Sequence, residues 1–175
     1  NILTNLVFQA GNVRGAGFGL YLAGNTFVSD CVISNNRIAG SAGTENRGAG
    51  VYASGSGCQV RSCLICSNLT GSAYGGGIHM SSSASLHDST VTVNSAGSAG
   101  GCFISAGGTI SNCVISSNRT TGGQTTWAGG IQASDSLVSH KTAIHNTRIE
   151  GNTIIGVSFG NSTGPNGAGP GLKEV

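Results

Sequence analysis

Apolar and polar residues alternate in short bursts along this chain, and the bursts are separated by glycine, serine and asparagine. "GGGIHM" at residue 75 and "AGGCFI" at residue 99 place glycines just ahead of an apolar anchor, and a second apolar run opens eight positions beyond each anchor. Aligned on the anchor, five copies appear: "GFGLYL", "GAGVYA", "GGGIHM", "AGGCFI" and "AGGIQA". Their anchors are Leu20, Val51, Ile78, Cys102 and Ile131, and the interval between them is widest at the first step and narrowest from Ile78 to Cys102. The second runs are "VSDCVISNN", "VRSCLICSN", "LHDSTVTVN", "ISNCVISSN" and "IHNTRIEGN", and "LTNLVFQAG" opens the chain as an earlier copy without its glycine half.

Runs this short, β-branched and alternating predict strands, and no window has helical spacing or caps. A unit of about 24–31 residues with a few short strands cannot bury its apolar face alone. Stacking at roughly 4.8 Å per rung closes a core and pairs the backbone. The predicted fold is all-β: a parallel β-helix of five to six coils over residues 1–155, followed by a Gly/Pro-rich tail or linker over 156–175. Equivalent residues then form columns. The five anchors point inward, as do Leu22, Ala53, Met80, Ile104 and Ala133. In the second run Val28, Val60, Leu86, Ile110 and Ile144 form one interior column, and Ile33, Ile65, Val91, Ile115 and Ile149 another. Asn36, Asn68, Asn94, Asn118 and Asn152 form an asparagine column at the closing turn. The glycines before the anchors are expected to supply turn conformations closed to other residues.

Composition narrows the function classes. Only 8% of the 175 residues are charged and the net charge is +2. Nucleic-acid binding needs clustered Lys and Arg, which are missing, and no run approaches the roughly 18 apolar residues of a membrane span. Six cysteines form an even set, which suits an oxidising compartment.

The paired phrases "GGGIHM…DSTVTVN" and "AGGCFI…NCVISSN" resemble the repeats of polymorphic-outer-membrane-type surface proteins, up to about residue 155. That family's second phrase favours Phe, whereas this chain uses Ile or Val except at Phe8. The resemblance implies a right-handed parallel β-helix and an extracellular or cell-surface adhesive, stalk or autotransporter-passenger role. A fold does not fix a function.

Candidate sites follow from the columns. Tyr21, Tyr52, His79, Phe103 and Gln132 alternate with the inward anchors and are expected to form an exposed aromatic strip for a glycan or protein partner; stacked rings also stabilise rungs by themselves. Val32, Leu64, Thr90 and Val114 make a second outward column, apolar until Arg148. The links from asparagine to the next anchor vary in length, longest after Asn36 and shortest after Asn94, and carry Arg37, Glu45, Arg47, Tyr74, Arg119 and Trp127. Arg47, Tyr74, Ser98 and Trp127 share one offset before the anchor and are expected to line a ridge, with Trp127 the leading ligand contact.

Cys31 and Cys63 share a column on adjacent rungs and are disulfide candidates. Asn68, Asn118 and Asn161 head glycosylation sequons, the first two in the column expected to be buried. Asp30 and Asp88 share a turn column two rungs apart, about 9–10 Å, a separation compatible with an inverting carboxylate pair. Asp and Asn are ordinary turn residues, however, and no Arg or Lys is expected to accompany the two. His79 and His87 have no third ligand, so neither a metal site nor a cofactor is expected. "NILTNLVF" opens the chain without a polar cap, which leads us to expect a neighbouring domain, coil or subunit against that end, a homo-oligomer or filament included. The expected function is a non-enzymatic structural or adhesive module, with a polysaccharide lyase or hydrolase as the rival.

Overall fold

The computed structural model describes residues 1–9, 12–13, 19–38, 47–71, 74–121, 128–134, 141–154 and 172–174. The chain winds as a parallel β-solenoid of six coils, each contributing one short strand to each of four six-stranded sheets. Face A stacks Ile2–Thr4, Phe27–Ser29, Gln59–Arg61, Ser85–His87, Gly108–Ser111 and Thr142–His145. Face B stacks Val7–Gln9, Val32–Ser34, Leu64–Cys66, Thr90–Thr92, Val114–Ser116 and Arg148–Glu150. Face C is built of two-residue strands: Asn12–Val13, Arg37–Ile38, Leu69–Thr70, Ser95–Ala96, Arg119–Thr120 and Thr153–Ile154. Face D stacks Leu20–Leu22, Val51–Ala53, Ile78–Ser81, Cys102–Ser105, Ile131–Ser134 and Leu172–Glu174.

The register places like above like: Leu20 pairs with Val51, Val51 with Ile78, Ile78 with Cys102 and Cys102 with Ile131. Val28, Val60, Leu86 and Ile110 are fully buried, as are Ile33, Ile65, Val91 and Ile115, while Ile144 and Ile149 of the last coil pack against the same core partly exposed. The last rung of face D comes from the Gly/Pro-rich tail, where Leu172 pairs in parallel with Ile131.

Inside the turn between faces B and C runs a continuous asparagine ladder. Each side-chain oxygen accepts both the backbone N–H and the side-chain amide of the asparagine one coil earlier, at 2.9–3.0 Å, from Asn36 through Asn152. Each amide also donates to a face-B carbonyl of the preceding coil; for Asn94 this is Ile65 O at 2.9 Å. The ladder satisfies polar groups where the backbone turns away from sheet pairing.

The glycine immediately before the anchor serves this ladder by its size at positions 19, 50, 77 and 101. A Cβ on Gly77 would lie 2.5 Å from Val91 Cγ1 and 2.9 Å from Asn94 Nδ2, and Gly50 meets Asn68 in the same way. Among the described residues, the expectation that these glycines supply turn angles holds only at Gly48 and Gly75, three positions before the anchor, where φ is +64° and +70°.

The corner between faces A and B depends on left-handed residues. Asn5, Asp30, Ser62, Asp88, Asn112 and Asn146 turn the chain from A to B with φ between 47° and 55°. Asn and Asp adopt this conformation readily. The next residue turns inward and clips the corner: Cys31, Cys63, Ser89, Cys113 and Thr147 each donate to the carbonyl two positions back, at 2.6–3.1 Å.

Candidate functional site

Face D carries the aromatic column, and the structure corrects its expected exposure. Tyr21 is 57% exposed, but Tyr52, His79, Phe103 and Gln132 are buried. The rings do stack from coil to coil, with centroids 5.4 Å apart for Tyr21–Tyr52, 5.1 Å for Tyr52–His79 and 4.8 Å for His79–Phe103. Their cover is the ridge read from the sequence. Arg47 bridges to Tyr74 and Tyr74 to Ser98 in parallel, and the ridge side chains lie over the column. Arg47 Nη1 donates to the Tyr52 hydroxyl at 3.0 Å with its guanidinium 5.7 Å above the ring, Tyr74 stacks on Phe103 at 4.7 Å, and Ser98 donates to Gln132 Oε1 at 3.1 Å. Alternation along a strand predicts which face a side chain takes, but not that the preceding segment folds back across it.

Tyr21 and Tyr74 (44% exposed) therefore remain as the aromatic contact surfaces among the described residues of this face, while Tyr52 and Phe103 support them from beneath. Trp127 falls outside the described residues. His79 is held between Tyr52 and Phe103 with Nε2 at 3.1 Å from Ser105 Oγ and Nδ1 without a partner. Burial, assisted by the Arg47 charge, lowers its pKa to about 3, so the ring is neutral. Ser105 carries no mark in the sequence as a partner of this stack; it is an ordinary strand residue until the coils are superposed.

Arg37 and Arg119 lie in strands of face C rather than in loops, both exposed, in one outward column with Leu69 and Ser95 between them. The ridge is packed directly against this face: a Cβ on Gly100 would meet Arg119 O at 2.4 Å, and Gly100 N–H donates to Thr120 Oγ1 at 3.0 Å.

A polar cluster occupies the A/B corner. Asp88 accepts from Arg61 Nε at 2.9 Å and from Asn112 Nδ2 at 3.1 Å, and His87 Nδ1 lies 2.6 Å from Ser111 Oγ. A cation therefore does accompany the carboxylate column, because Arg61, on the neighbouring coil, reaches across the coil boundary to Asp88. Asp30 lies two coils from Asp88 at the same corner. Among the described residues no group of three or more His, Cys, Asp or Glu side chains could hold a metal ion.

Three further expectations meet the structure. All six cysteines are free thiols, so Cys31 and Cys63 form no bridge. Their side chains leave parallel, in-register neighbours in the same direction, which holds their Cβ atoms near the strand spacing of about 4.8 Å and beyond the roughly 3.8 Å a disulfide favours. Both thiols are instead committed to corner carbonyls at 3.0 Å. Asn68 and Asn118 are buried in the ladder, where their amide nitrogens are already bonded and closed to a glycan. Asn161 lies outside the described residues. The outward apolar column keeps its expected phase, with Val32, Thr90 and Val114 half-buried and Leu64 exposed.

No family model, curated protein or solved structure matches the chain. Among the described residues no helix is long and apolar enough to cross a membrane.

Proposed function

We propose that this chain is a non-enzymatic structural and adhesive module of an extracellular surface protein or filament. It acts as a rigid scaffold that presents the C/D side of the solenoid to a glycan or protein partner. The observation that carries this reading is the six-coil register locked by a buried asparagine ladder, which holds Tyr21, Tyr74 and the ridge at fixed spacing. Two exposed rings backed by buried rings make a firm apolar platform, since aromatic side chains lose little entropy when they bind. The motif likeness to outer-membrane-type surface repeats supports this role; association through coil ends and a location outside the cell are parts of the same proposal.

Glycan and protein arrays test the proposal. Tyr21→Ala and Tyr74→Ala should each lower the signal of whatever binds, by about tenfold for a contact worth ~1.4 kcal/mol. An array profile that both substitutions leave unchanged removes the reading.

The Arg61–Asp88–Asn112 cluster beside the His87–Ser111 pair favours a second reading, a polysaccharide lyase or hydrolase acting at the A/B corner. New reducing ends or unsaturated products from a polysaccharide panel, abolished by Asp88→Ala, would establish it in place of the first.

A further inference from the structure

We propose that the C/D side binds an extended anionic polysaccharide, carboxylated or sulfated, lying along the solenoid axis. This rests on the display reading and names its ligand class.

The charges of the molecule are segregated. Among the described residues up to Ile154, the acidic ones are Asp30, Asp88 and Glu150, and all three belong to face B or the A/B corner. There Asp88 is paired with Arg61 at 2.9 Å and Glu150 with Arg148 at 3.3 Å. Over the same span the C/D side holds Arg37, Arg47 and Arg119 and, among the described residues, no carboxylate. Among the described residues the C/D side thus carries Arg37 and Arg119 as exposed cations, with Arg47 turned onto Tyr52.

The spacing of these cations defines the ligand. Arg37 and Arg119 sit in one register column three coils apart, hence about 14 Å along the axis at the usual strand separation. No single sugar reaches both, whereas a chain several units long does. Leu69 and Ser95 between them are partly buried and shorter than arginine, so among the described residues the column dips between its two cations. Beside this column the exposed Tyr74 ring, stacked at 4.7 Å on Phe103, offers a face to a pyranose ring. Arginine forks bind carboxylate and sulfate in a bidentate manner. Charged forks flanking a ring platform fit an acidic glycan better than a nucleic acid, which would ask for a denser row of cations and several stacking rings.

Calorimetry or affinity electrophoresis at low salt tests this with polygalacturonate, a sulfated galactan, its desulfated form, a neutral β-glucan and single-stranded DNA. Binding to one or both anionic glycans is expected, weakening as ionic strength rises through the range where about 10 Å screening sets in. The carboxylated and sulfated arms distinguish the two anion chemistries. Arg37→Ser/Arg119→Ser, at exposed positions, should lower the affinity about tenfold or more. Tyr74→Ser should lower it as well, and Arg148→Ser on face B should leave it unchanged. Equal loss with Arg148→Ser, no loss with the double variant, equal binding of DNA, or no binding to either anionic glycan would each overturn the inference. Capture of the neutral glycan through Tyr21 or Tyr74, indifferent to the arginines, would end it while leaving the display reading intact.

Discussion

Truncating Asn94 to alanine tests the central physical claim, that the asparagine ladder locks the coils together. Asn94 is completely buried in the middle of the ladder. Its Oδ1 accepts from Asn68 N and Asn68 Nδ2 at 2.9 and 3.0 Å, and its Nδ2 donates to Ile65 O and Asn118 Oδ1 at 2.9 and 3.0 Å. Alanine removes all four bonds and leaves the Asn68 backbone N–H without its acceptor. At about 1 kcal/mol for each net bond, plus ~1–3 kcal/mol for the orphaned donor, the cost is about 5–7 kcal/mol. That is comparable with the whole stability of an ordinary domain. Asn152→Ala is the comparison. It loses acceptance from Asn118 N and Nδ2 and its own bond to Ile115 O, in the last coil where the residue is 6% exposed and water can substitute. Its cost should be roughly half as large. Urea unfolding followed by circular dichroism gives both numbers. An Asn94→Ala cost no larger than that of a single ordinary hydrogen bond, about 1.5 kcal/mol at most, would refute the claim that the ladder locks the coils. So would a cost no larger than that of Asn152→Ala.

Three further outcomes follow from the packing. His79 is held neutral with its pKa lowered to about 3, so the unfolded chain binds more protons between that value and 6.5. Stability is therefore complete above pH 6.5 and falls by a few kcal/mol on acidification toward pH 3, and His79→Gln, matching Gln132 of the same column, should flatten that slope in denaturant titrations. Val93 is a β-branched residue at φ 57°, 56% exposed, in a corner column otherwise filled by Asn35, Ser67, Ser117 and Gly151. Val93→Asn should stabilise by about 1 kcal/mol, a rise of ~2–4 °C in Tm by calorimetry, and an unchanged or lowered Tm would contradict the strain argument. Cys63→Ser should be nearly neutral, because Ser89 performs the same corner clip one coil later and bonds the Cys63 N–H at 3.0 Å. Cys102→Ser, inside the apolar anchor column, should cost a few kcal/mol in the same assay, and equal costs for the two would show that the corner role is misassigned.

The sequence revealed the columns and concealed what covers them. The anchor, Val/Ile and asparagine columns were legible because a solenoid writes its third dimension into the sequence period, so that aligned letters become stacked side chains. Face C was missed: two-residue strands such as Leu69–Thr70 and Arg119–Thr120 are too short to alternate. The ridge was legible as a shared offset, yet its fold over Tyr52, His79 and Phe103 was not, because long-range cover leaves no periodic trace. The glycines misled in an instructive way. Glycine is chosen at 50 and 77 for the space that Asn68 and Asn94 need, a pairing visible only once the start of face D is set against the B/C corner. The Arg61–Asp88 contact was hidden for the same reason, since its partners are far apart along the chain and adjacent only across a coil boundary.

The stretch from each asparagine to the following anchor differs in length from coil to coil, while the pairing on either side keeps its step. Length at that junction is thus uncoupled from pitch. The molecule works as a ruler whose graduations are fixed by backbone pairing and whose labels can be rewritten, so a peptide inserted between Gly71 and Tyr74 would acquire a defined axial address while Tyr74 keeps its place on the ridge.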